Sequence, residues 1–202
     1  MSSLLLHKPA LHYLLWRFGM AQAATQTSRA EQACLAKHAF GKRRLAEIGV
    51  WHGVNTREFR RVMAADGLLS AIDPFPLNRY GVSWLKLIAQ SEVARVTNGR
   101  VEFLEMFSEA AAKEVGDAQF DFVFIDGDHS WDGVSKDWAL WTPKITLGGI
   151  IALHDSRSCP GRELDHNAVV RFTRQFVHDD PRFNIVDEVD SLTVLCRSHD
   201  LG

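Results

Sequence analysis

The stretch that decides the fold is Phe122-Val123-Phe124-Ile125-Asp126-Gly127-Asp128-His129-Ser130. Its first four residues form a continuous apolar run, which predicts a β-strand covered on both faces, as in a parallel sheet. Ionisable residues follow the run at once. The segment 148–155, Gly-Gly-Ile-Ile-Ala-Leu-His-Asp, repeats this pattern. Two buried strands that both end in ionisable side chains predict a ligand site at the carboxyl edge of an α/β sheet.

Short apolar runs alternate with helical periodicity on both sides of these segments, which predicts βα units. The predicted strands are 44–50, 68–73, 101–104, 120–126, 149–154, 183–189 and 191–197. Helices are predicted near 55–65, 82–97, 108–115, 131–141 and 167–178, after a helical stretch at 3–40. Only Asp190 separates the last two strands, so they must pair as an antiparallel hairpin. The predicted fold is α/β: a Rossmann-like, doubly wound, seven-stranded, mostly parallel sheet with a C-terminal antiparallel hairpin and extra N-terminal helices.

Composition narrows the function classes. The chain has 202 residues and a formal net charge of -2, which gives no general attraction for nucleic acid or an anionic membrane. It contains no run of 18 apolar residues, so we predict no transmembrane helix. The apolar N-terminus loosely resembles a signal peptide, but Pro9 and Arg17 interrupt it, and an amphipathic helix is the better interpretation. Three cysteines without a C-x-x-C pair indicate a reducing, cytoplasmic setting.

The loop after the first strand has the spacing E-x-G-x-x-x-G rather than the G-x-G-x-x-G of dinucleotide enzymes. Its acidic residue would repel a pyrophosphate and attract a cation. A cationic nucleoside without phosphate, such as S-adenosylmethionine, therefore suits this loop better. The predicted cofactor contacts here are Glu47, Gly49, Trp51, Gly53 and Asn55. The alternative is a tight strand-to-helix turn without a ligand.

Three further strand ends complete the predicted cofactor site. Asp73 follows the second strand, where a carboxylate can accept both ribose hydroxyls of an adenosine. Phe107 and Ser108 follow the third strand and are placed beside the adenine. For Ser108 a plain helix N-cap is an equal alternative. Asp126, at the end of the fourth strand, is the last predicted cofactor contact.

The fourth and fifth strands would bring Asp126, His129, His154 and Asp155 together at one edge of the sheet. Carboxylates and imidazoles in this arrangement indicate either a divalent-metal site or an acid–base site. For the metal alternative the ligands are Asp126, His154 and Asp155, and the oxygen ligands favour Mg²⁺ or Mn²⁺. A hydrogen-bonded network that only stabilises the sheet edge is the third alternative.

Together these segments resemble class I S-adenosylmethionine-dependent methyltransferases, in particular small bacterial ones with I-D-G-D-H-S and A-L-H-D-S segments. The resemblance covers 43–197 and extends to the metal-dependent catechol and caffeoyl-CoA O-methyltransferases. It implies an N-terminal helical extension, 1–40, packed on an S-adenosylmethionine-binding methyltransferase domain, 41–202. The first metal carboxylate of those relatives falls on Asp126, and their Asp-Asn pair falls on His154-Asp155. Their lysine base falls on His129.

The resemblance implies O-methylation of a small hydroxylated molecule, assisted or not by a divalent metal. His129 would be the general base, because an imidazole titrates near neutrality, and Asp126 and His154 would share in catalysis. Two other classes stay open: a non-catalytic protein that binds an adenosyl ligand, and an NAD-dependent oxidoreductase. A small-molecule substrate is the expected partner, and a homodimer is compatible with the sequence.

Overall fold

The computed structural model describes residues 8–199, which contain one seven-stranded sheet. The strands are β1 Arg44–Ile48, β2 Leu68–Ile72, β3 Arg100–Leu104, β4 Phe120–Ile125, β5 Ile145–Leu153, β6 Phe183–Val189 and β7 Leu192–Arg197. They lie in the order β3-β2-β1-β4-β5-β7-β6. The first five strands are parallel, and β7 pairs antiparallel with both β5 and β6. The predicted fold class and closing hairpin are therefore confirmed.

Helices cover both faces of the sheet, which explains the continuous apolar runs of the inner strands. The helices are α1 Pro9–Arg17, α2 Arg29–Ala39, α3 Val54–Val62, α4 Trp84–Val93, α5 Ser108–Glu114, α6 Trp131–Trp141 and α7 Ala168–Phe172. In β4, Phe122 and Phe124 pack with α2 and α3, whereas Val123 and Ile125 pack with α5, α6 and α7. A 3₁₀ turn follows α6 at Thr142–Lys144, and a π turn continues α7 at Thr173–Val177.

The fifth strand begins earlier than predicted. It starts at Ile145 instead of 149 and runs through Gly148 and Gly149. Its pairing with β4 shifts from Phe120↔Ile145 to Phe122↔Ile150, so extra residues of β5 form a bulge. The two glycines lie within this irregularity, where glycine is common, rather than in a turn before the strand.

The predicted N-terminal helical stretch contains two helices, α1 and α2, within the described residues. Gly19, with φ of 74°, follows α1, and an irregular segment leads to Ser28, the N-cap of α2. Ser28 and Glu31 form a capping box, in which each side chain accepts the other residue's backbone N–H. Residues 3–7 of the predicted helical stretch lie outside the described residues.

Both N-terminal helices contact the rest of the fold through polar and aromatic side chains. The Trp16 indole on α1 donates to Glu92 on α4 over 2.8 Å, and Tyr13 packs on Trp84. On α2, Lys37 and His38 both contact Asp187 of β6. Within residues 8–199 no helix is both long and apolar enough to cross a bilayer.

Candidate active site

A cavity of about 800 Å³ lies at the carboxyl ends of the parallel strands, where β1 and β4 lie side by side and the strand order reverses. This is the position at which open α/β sheets bind ligands. Most of the predicted cofactor residues line it. They are Gly49, Trp51, Asn55, Asp73, Phe107, Ser108 and Asp126, together with His129.

Backbone geometry and hydrogen bonds to backbone N–H groups set the conformation of the loop after β1. Gly49 has φ of 87°, and a Cβ at this position would overlap the carbonyl oxygen of Asp126 on the neighbouring strand. Only glycine fits both conditions. Asp73 accepts the backbone N–H groups of Val50 and Trp51, each over 3.1 Å, so it fixes the loop while it faces the cavity. Both of these hydrogen bonds end on Oδ2, and Oδ1 accepts the Phe75 N–H over 2.7 Å, so Oδ1 keeps a lone pair for a further hydrogen bond.

Two predicted cofactor residues, Glu47 and Gly53, do not line the cavity. Glu47 lies within β1 rather than in the loop, 1% exposed, and its carboxyl accepts the Thr56 hydroxyl. Burial raises the pKa of Glu47 well above its ordinary value, although the Thr56 hydrogen bond opposes this, so its surroundings favour the neutral form over the charge that was expected to attract a cation. At Gly53, a Cβ would lie 2.9 Å from the Ala89 Cα, so this glycine lets α3 pack against α4.

At the other end of the cavity, Phe107 is 72% exposed and Ser108 begins α5. The Ser108 hydroxyl donates to Asp137 on α6 instead of capping its own helix. Burial raises the pKa of Asp137 to about 6, against the opposing effect of this hydrogen bond. Sequence reasoning missed Asp137, although a carboxyl between Val134 and Trp138 on the apolar face of α6 was a usable signal.

A wall of the cavity comes from the segment between α1 and α2, which the sequence pattern did not assign to the site. Ala24, Thr25 and Gln26 line the cavity. The Ala24 N–H donates to His52 Nδ1 over 2.9 Å, and the Thr27 hydroxyl donates to Asn55 over 3.0 Å. Two residues of the β1–α3 region thus hold this segment over the cofactor loop.

The structure brings Asp126, His129, His154 and Asp155 together as expected from the strand order. Asp126 Oδ1 lies 3.0 Å from His154 Nδ1 and 3.3 Å from His129 Nε2. His129 Nδ1 lies 3.5 Å from Asp155 Oδ2. Asp155 has φ of 51°, a conformation rare outside glycine, and its side chain is almost completely buried.

Three further residues, from α2, the segment after β5 and the β6–β7 turn, complete this group, and the strand-end pattern contains none of them. Glu31 of α2 lies with Oε2 3.4 Å from His154 Nε2. Ser191, in the β6–β7 turn, donates both its backbone N–H and its hydroxyl to Glu31. Arg162 contacts both oxygens of Asp155, at 2.6 and 2.9 Å. We call these seven residues, the four above with Glu31, Arg162 and Ser191, the acceptor cluster.

Opposite charges within the cluster keep its buried groups ionised. Burial disfavours the charged form of His154, but hydrogen bonds to Asp126 and Glu31 outweigh it and raise its pKa to about 10. Burial likewise opposes ionisation of Glu31, yet His154 and Ser191 lower the pKa of Glu31 to about 2. The pKa of Asp126 is held below its usual range by both histidines, against the effect of burial. His129 has a raised pKa because of its hydrogen bond to Asp126.

The geometry does not fit the predicted metal site. Both ring nitrogens of His154 face carboxylates, so neither offers a metal the free lone pair that a ligand needs. Both oxygens of Asp155 contact the Arg162 guanidinium. Asp126, His154 and Asp155 also do not form a three-residue group with ligand atoms within 4.8 Å of one another. Across residues 8–199 only Cys34, His38 and Asp187 meet that criterion, on α2 and β6.

Comparison with known proteins identifies the family. A family model described as a methyltransferase domain matches residues 46–156, more than half of the chain. The chain belongs to this methyltransferase family. The matched segment runs from β1 to the residue after Asp155, so it contains both the loop of the cofactor cavity and the two strand ends of the acceptor cluster.

Solved structures, methyltransferases among them, share the fold at low sequence identity. Rv0187 from MTB, solved with bound cofactor, has a TM-score of 0.67 at 19% identity, with 98% of this chain and 94% of that chain covered. The O-methyltransferase TomG from Streptomyces achromogenes, in complex with SAM, has a TM-score of 0.63 at 17% identity, with 98% of this chain and 92% of that chain covered. SAH-bound methyltransferase PaMTH1 from Podospora anserina has a TM-score of 0.64 at 16% identity, with 99% of this chain and 89% of that chain covered. No curated protein matches the chain.

Proposed function

We propose that this methyltransferase uses S-adenosylmethionine to methylate a hydroxyl group of a small molecule, with His129 as the general base. The observation that carries the proposal is the position of His129, which lines the cofactor cavity and at the same time belongs to the acceptor cluster. A base at this place can reach the hydroxyl of an acceptor that binds beside the cofactor cavity.

The cavity supports S-adenosylmethionine as the cofactor. When bound, S-adenosylmethionine supplies an electrophilic methyl group on a sulfonium. The glycine at 49 permits close approach of a ligand to the backbone, and Asp73, Phe107 and Ser108 all line the cavity. We assign Asp73 to the ribose hydroxyls, and Phe107 and Ser108 to the adenine. The complexes of TomG with SAM and of PaMTH1 with SAH agree with this assignment.

The acceptor cluster supports proton removal from a hydroxyl. When His129 is neutral with Nδ1–H directed to Asp155, its Nε2 carries the lone pair to which an entering hydroxyl can donate. Once Nε2 is protonated, it donates to Asp126 Oδ1, 3.3 Å away. The O–H bond breaks and an N–H bond forms on His129, and Asp126 and Asp155 stabilise the resulting imidazolium. The deprotonated acceptor oxygen would then be the nucleophile for the methyl group that bound S-adenosylmethionine would supply.

Transfer of a radiolabelled methyl group tests the proposal. The wild type is assayed with labelled S-adenosylmethionine against a panel of phenols, enols and alcohols, and S-adenosylhomocysteine and NAD are compared by calorimetric titration. Turnover of an accepted substrate should fall about 10²- to 10⁴-fold in His129→Ala, the usual contribution of a general base. Affinity for S-adenosylhomocysteine should stay within about twofold, because the cofactor contacts remain.

His178→Ala is the matched control, because this histidine is exposed and lies after the π turn, away from the cavity. It should retain wild-type turnover. Full turnover by His129→Ala would remove that residue from the role of base. Binding of S-adenosylhomocysteine without methyl transfer to any member of the panel would favour the non-catalytic alternative, whereas preference for NAD would favour an oxidoreductase.

A further inference from the structure

The acceptor cluster contains three carboxylates in a mostly buried setting, and these need positive charge nearby. Glu31, Asp126 and Asp155 are connected through His154, whose ring nitrogens lie 3.0 to 3.7 Å from them. Burying negative charges together is costly unless cations or donors compensate them. In many enzymes such a group of carboxylates is compensated by a divalent cation.

Here the compensation comes from side chains. His154 lies between Asp126 and Glu31, and Arg162 contacts both oxygens of Asp155. When His129 takes a proton, the three carboxylates face three cationic side chains, so the cluster is balanced in the state that follows proton removal. Without Arg162 it would carry excess negative charge in that state.

The position of Arg162 is fixed by a tight turn in its backbone and by hydrogen bonds of its guanidinium. Residues 159 and 162 exchange two backbone hydrogen bonds, of 3.1 and 2.9 Å, across Pro160 and Gly161. Gly161 has φ of 82°, as the third residue of a type II turn requires. The guanidinium also donates to the Gln26 carbonyl and to the Ser191 hydroxyl, at 3.2 and 3.3 Å. The side chain is therefore fixed from the N-terminal segment, the β6–β7 turn and Asp155.

We propose that Arg162 is a positioning residue that occupies, with its guanidinium, the place of a divalent cation, and that the enzyme transfers methyl groups without a metal. The proposal deepens the proposed function and rests on it. Arg162 holds Asp155 in its unusual backbone conformation, and Asp155 in turn orients the ring of His129. A metal at the same place would meet a fixed positive charge at short range.

The first test measures metal binding and needs no activity. The wild type is dialysed against EDTA and titrated with Mn²⁺, and free Mn²⁺ is followed by its electron paramagnetic resonance signal. We expect no saturable site tighter than about 1 mM, and full turnover after dialysis. Stoichiometric binding of Mn²⁺ that Asp126→Asn abolishes would overturn the proposal, even if no methyl acceptor is ever found. Binding that Asp187→Asn abolishes instead would locate the ion at Cys34 and His38 and leave the proposal supported.

The second test uses Arg162→Met, Arg162→Lys and the control Arg157→Met. Arg157 lies in the same segment but contacts Glu188, outside the cluster. Arg162→Met should lower turnover at least about 30-fold and move the acidic limb of the pH–rate profile upward, because loss of a nearby cation stabilises protonated His129. Arg162→Lys should recover part of both effects, and Arg157→Met should show neither. Wild-type turnover and an unchanged profile in folded Arg162→Met would overturn the proposal.

Discussion

The two halves of the site are built in different ways. On the cofactor side, after β1 and β2, the geometry comes from the backbone: a glycine in a positive-φ conformation and an Asp73 carboxylate that accepts two N–H groups of the loop. On the acceptor side, after β4 and β5, it comes from ionised side chains, which α2, the turn at 159–162 and the β6–β7 turn supply. A local stretch of sequence can therefore specify the first half, whereas the second exists only in the folded protein.

Neighbouring strands show the same contrast in two acidic residues. Glu47 of β1 is 1% exposed, its hydrogen-bond partner among the described residues is the Thr56 hydroxyl, and burial raises its pKa. Asp126 at the end of β4 is 20% exposed, and burial acts on its pKa in the same direction, but two imidazoles face it and its pKa is lowered. Burial alone thus does not decide whether a carboxyl at this sheet edge is charged. The charged and hydrogen-bonding side chains that other elements place beside the carboxyl decide whether it is charged.

The largest effect is expected on the cofactor side, from Gly49→Ala. The new Cβ would overlap the Asp126 carbonyl and force an L residue to a φ of 87°. Overpacking against backbone together with a positive φ should destabilise the fold by about 4 kcal/mol or more. Urea unfolding and titration with S-adenosylhomocysteine measure the loss.

Gly81→Ala is the matched control for that substitution. Gly81 also has a positive φ, 73°, but no atom lies within 4 Å of its added Cβ. Gly81→Ala should lower the free energy of unfolding only by the cost of the positive φ, about 1–2 kcal/mol. Its affinity for S-adenosylhomocysteine should stay unchanged. Equal losses in the two variants would show that the contact with β4 adds nothing to the role of Gly49.

On the acceptor side the expected effect is a dependence of stability on pH. The pKa of His154 is about 10 in the folded protein and about 6.5 when unfolded, so its stabilising contribution is fully present below pH 6.5. It is lost as pH rises through 10. The groups that face His154 are Asp126, Asp155, Glu31 and Arg162. From pH 7 to pH 9 the free energy of unfolding should fall by up to roughly 3 kcal/mol.

Urea unfolding at the two pH values checks this slope. His154→Gln should remove most of it, whereas His178→Gln, at an exposed histidine, should keep it. A wild type with equal stability at pH 7 and pH 9 would mean that His154 does not hold its proton in the folded state, and the acceptor side would then lack the charge balance described above.

The smallest effect is expected at the open end of the cofactor cavity, from Phe107→Ala. Phe107 is exposed, so its loss should leave the free energy of unfolding unchanged within about 0.5 kcal/mol. Stacking of an aromatic side chain on a base contributes about 1–3 kcal/mol, so affinity for S-adenosylhomocysteine should fall roughly 5- to 150-fold. Phe40→Ala, at an equally exposed phenylalanine away from the cavity, should change neither quantity. Unchanged affinity in Phe107→Ala would exclude the stacking contact.

The sequence was sufficient for the parts of the molecule that depend on neighbouring residues. The apolar runs of β4 and β5 predict buried strands, and the adjacency of these two strands predicts that His129 lies near His154. Asp73 and Gly49 can likewise be found from their positions after strands. These residues act where the chain leaves the sheet, so the strand pattern alone locates them.

The remainder depends on side-chain contacts that the strand pattern does not show. Glu31 forms a capping box that the sequence contains as Ser-x-x-Glu, but nothing local shows that α2 places this carboxyl against His154. Arg162 lies only seven residues after Asp155, but the approach of its guanidinium to that carboxylate cannot be read from the sequence. The predicted metal site does not fit the geometry for this reason: the strand ends show the carboxylates and imidazoles, but not the contacts that Glu31 and Arg162 make with them.

Glu31 takes part in two structures that form at different stages of synthesis, so it affects the order in which the protein folds. The same carboxyl closes the first turn of α2 and accepts two hydrogen bonds from Ser191, which lies 160 residues later. On the ribosome, α2 can therefore form early, but the acceptor cluster must wait until the β6–β7 hairpin has been synthesised and has docked. A nascent chain arrested before that hairpin would contain the residues of the loop after β1 but would lack Ser191, so the acceptor cluster would be incomplete.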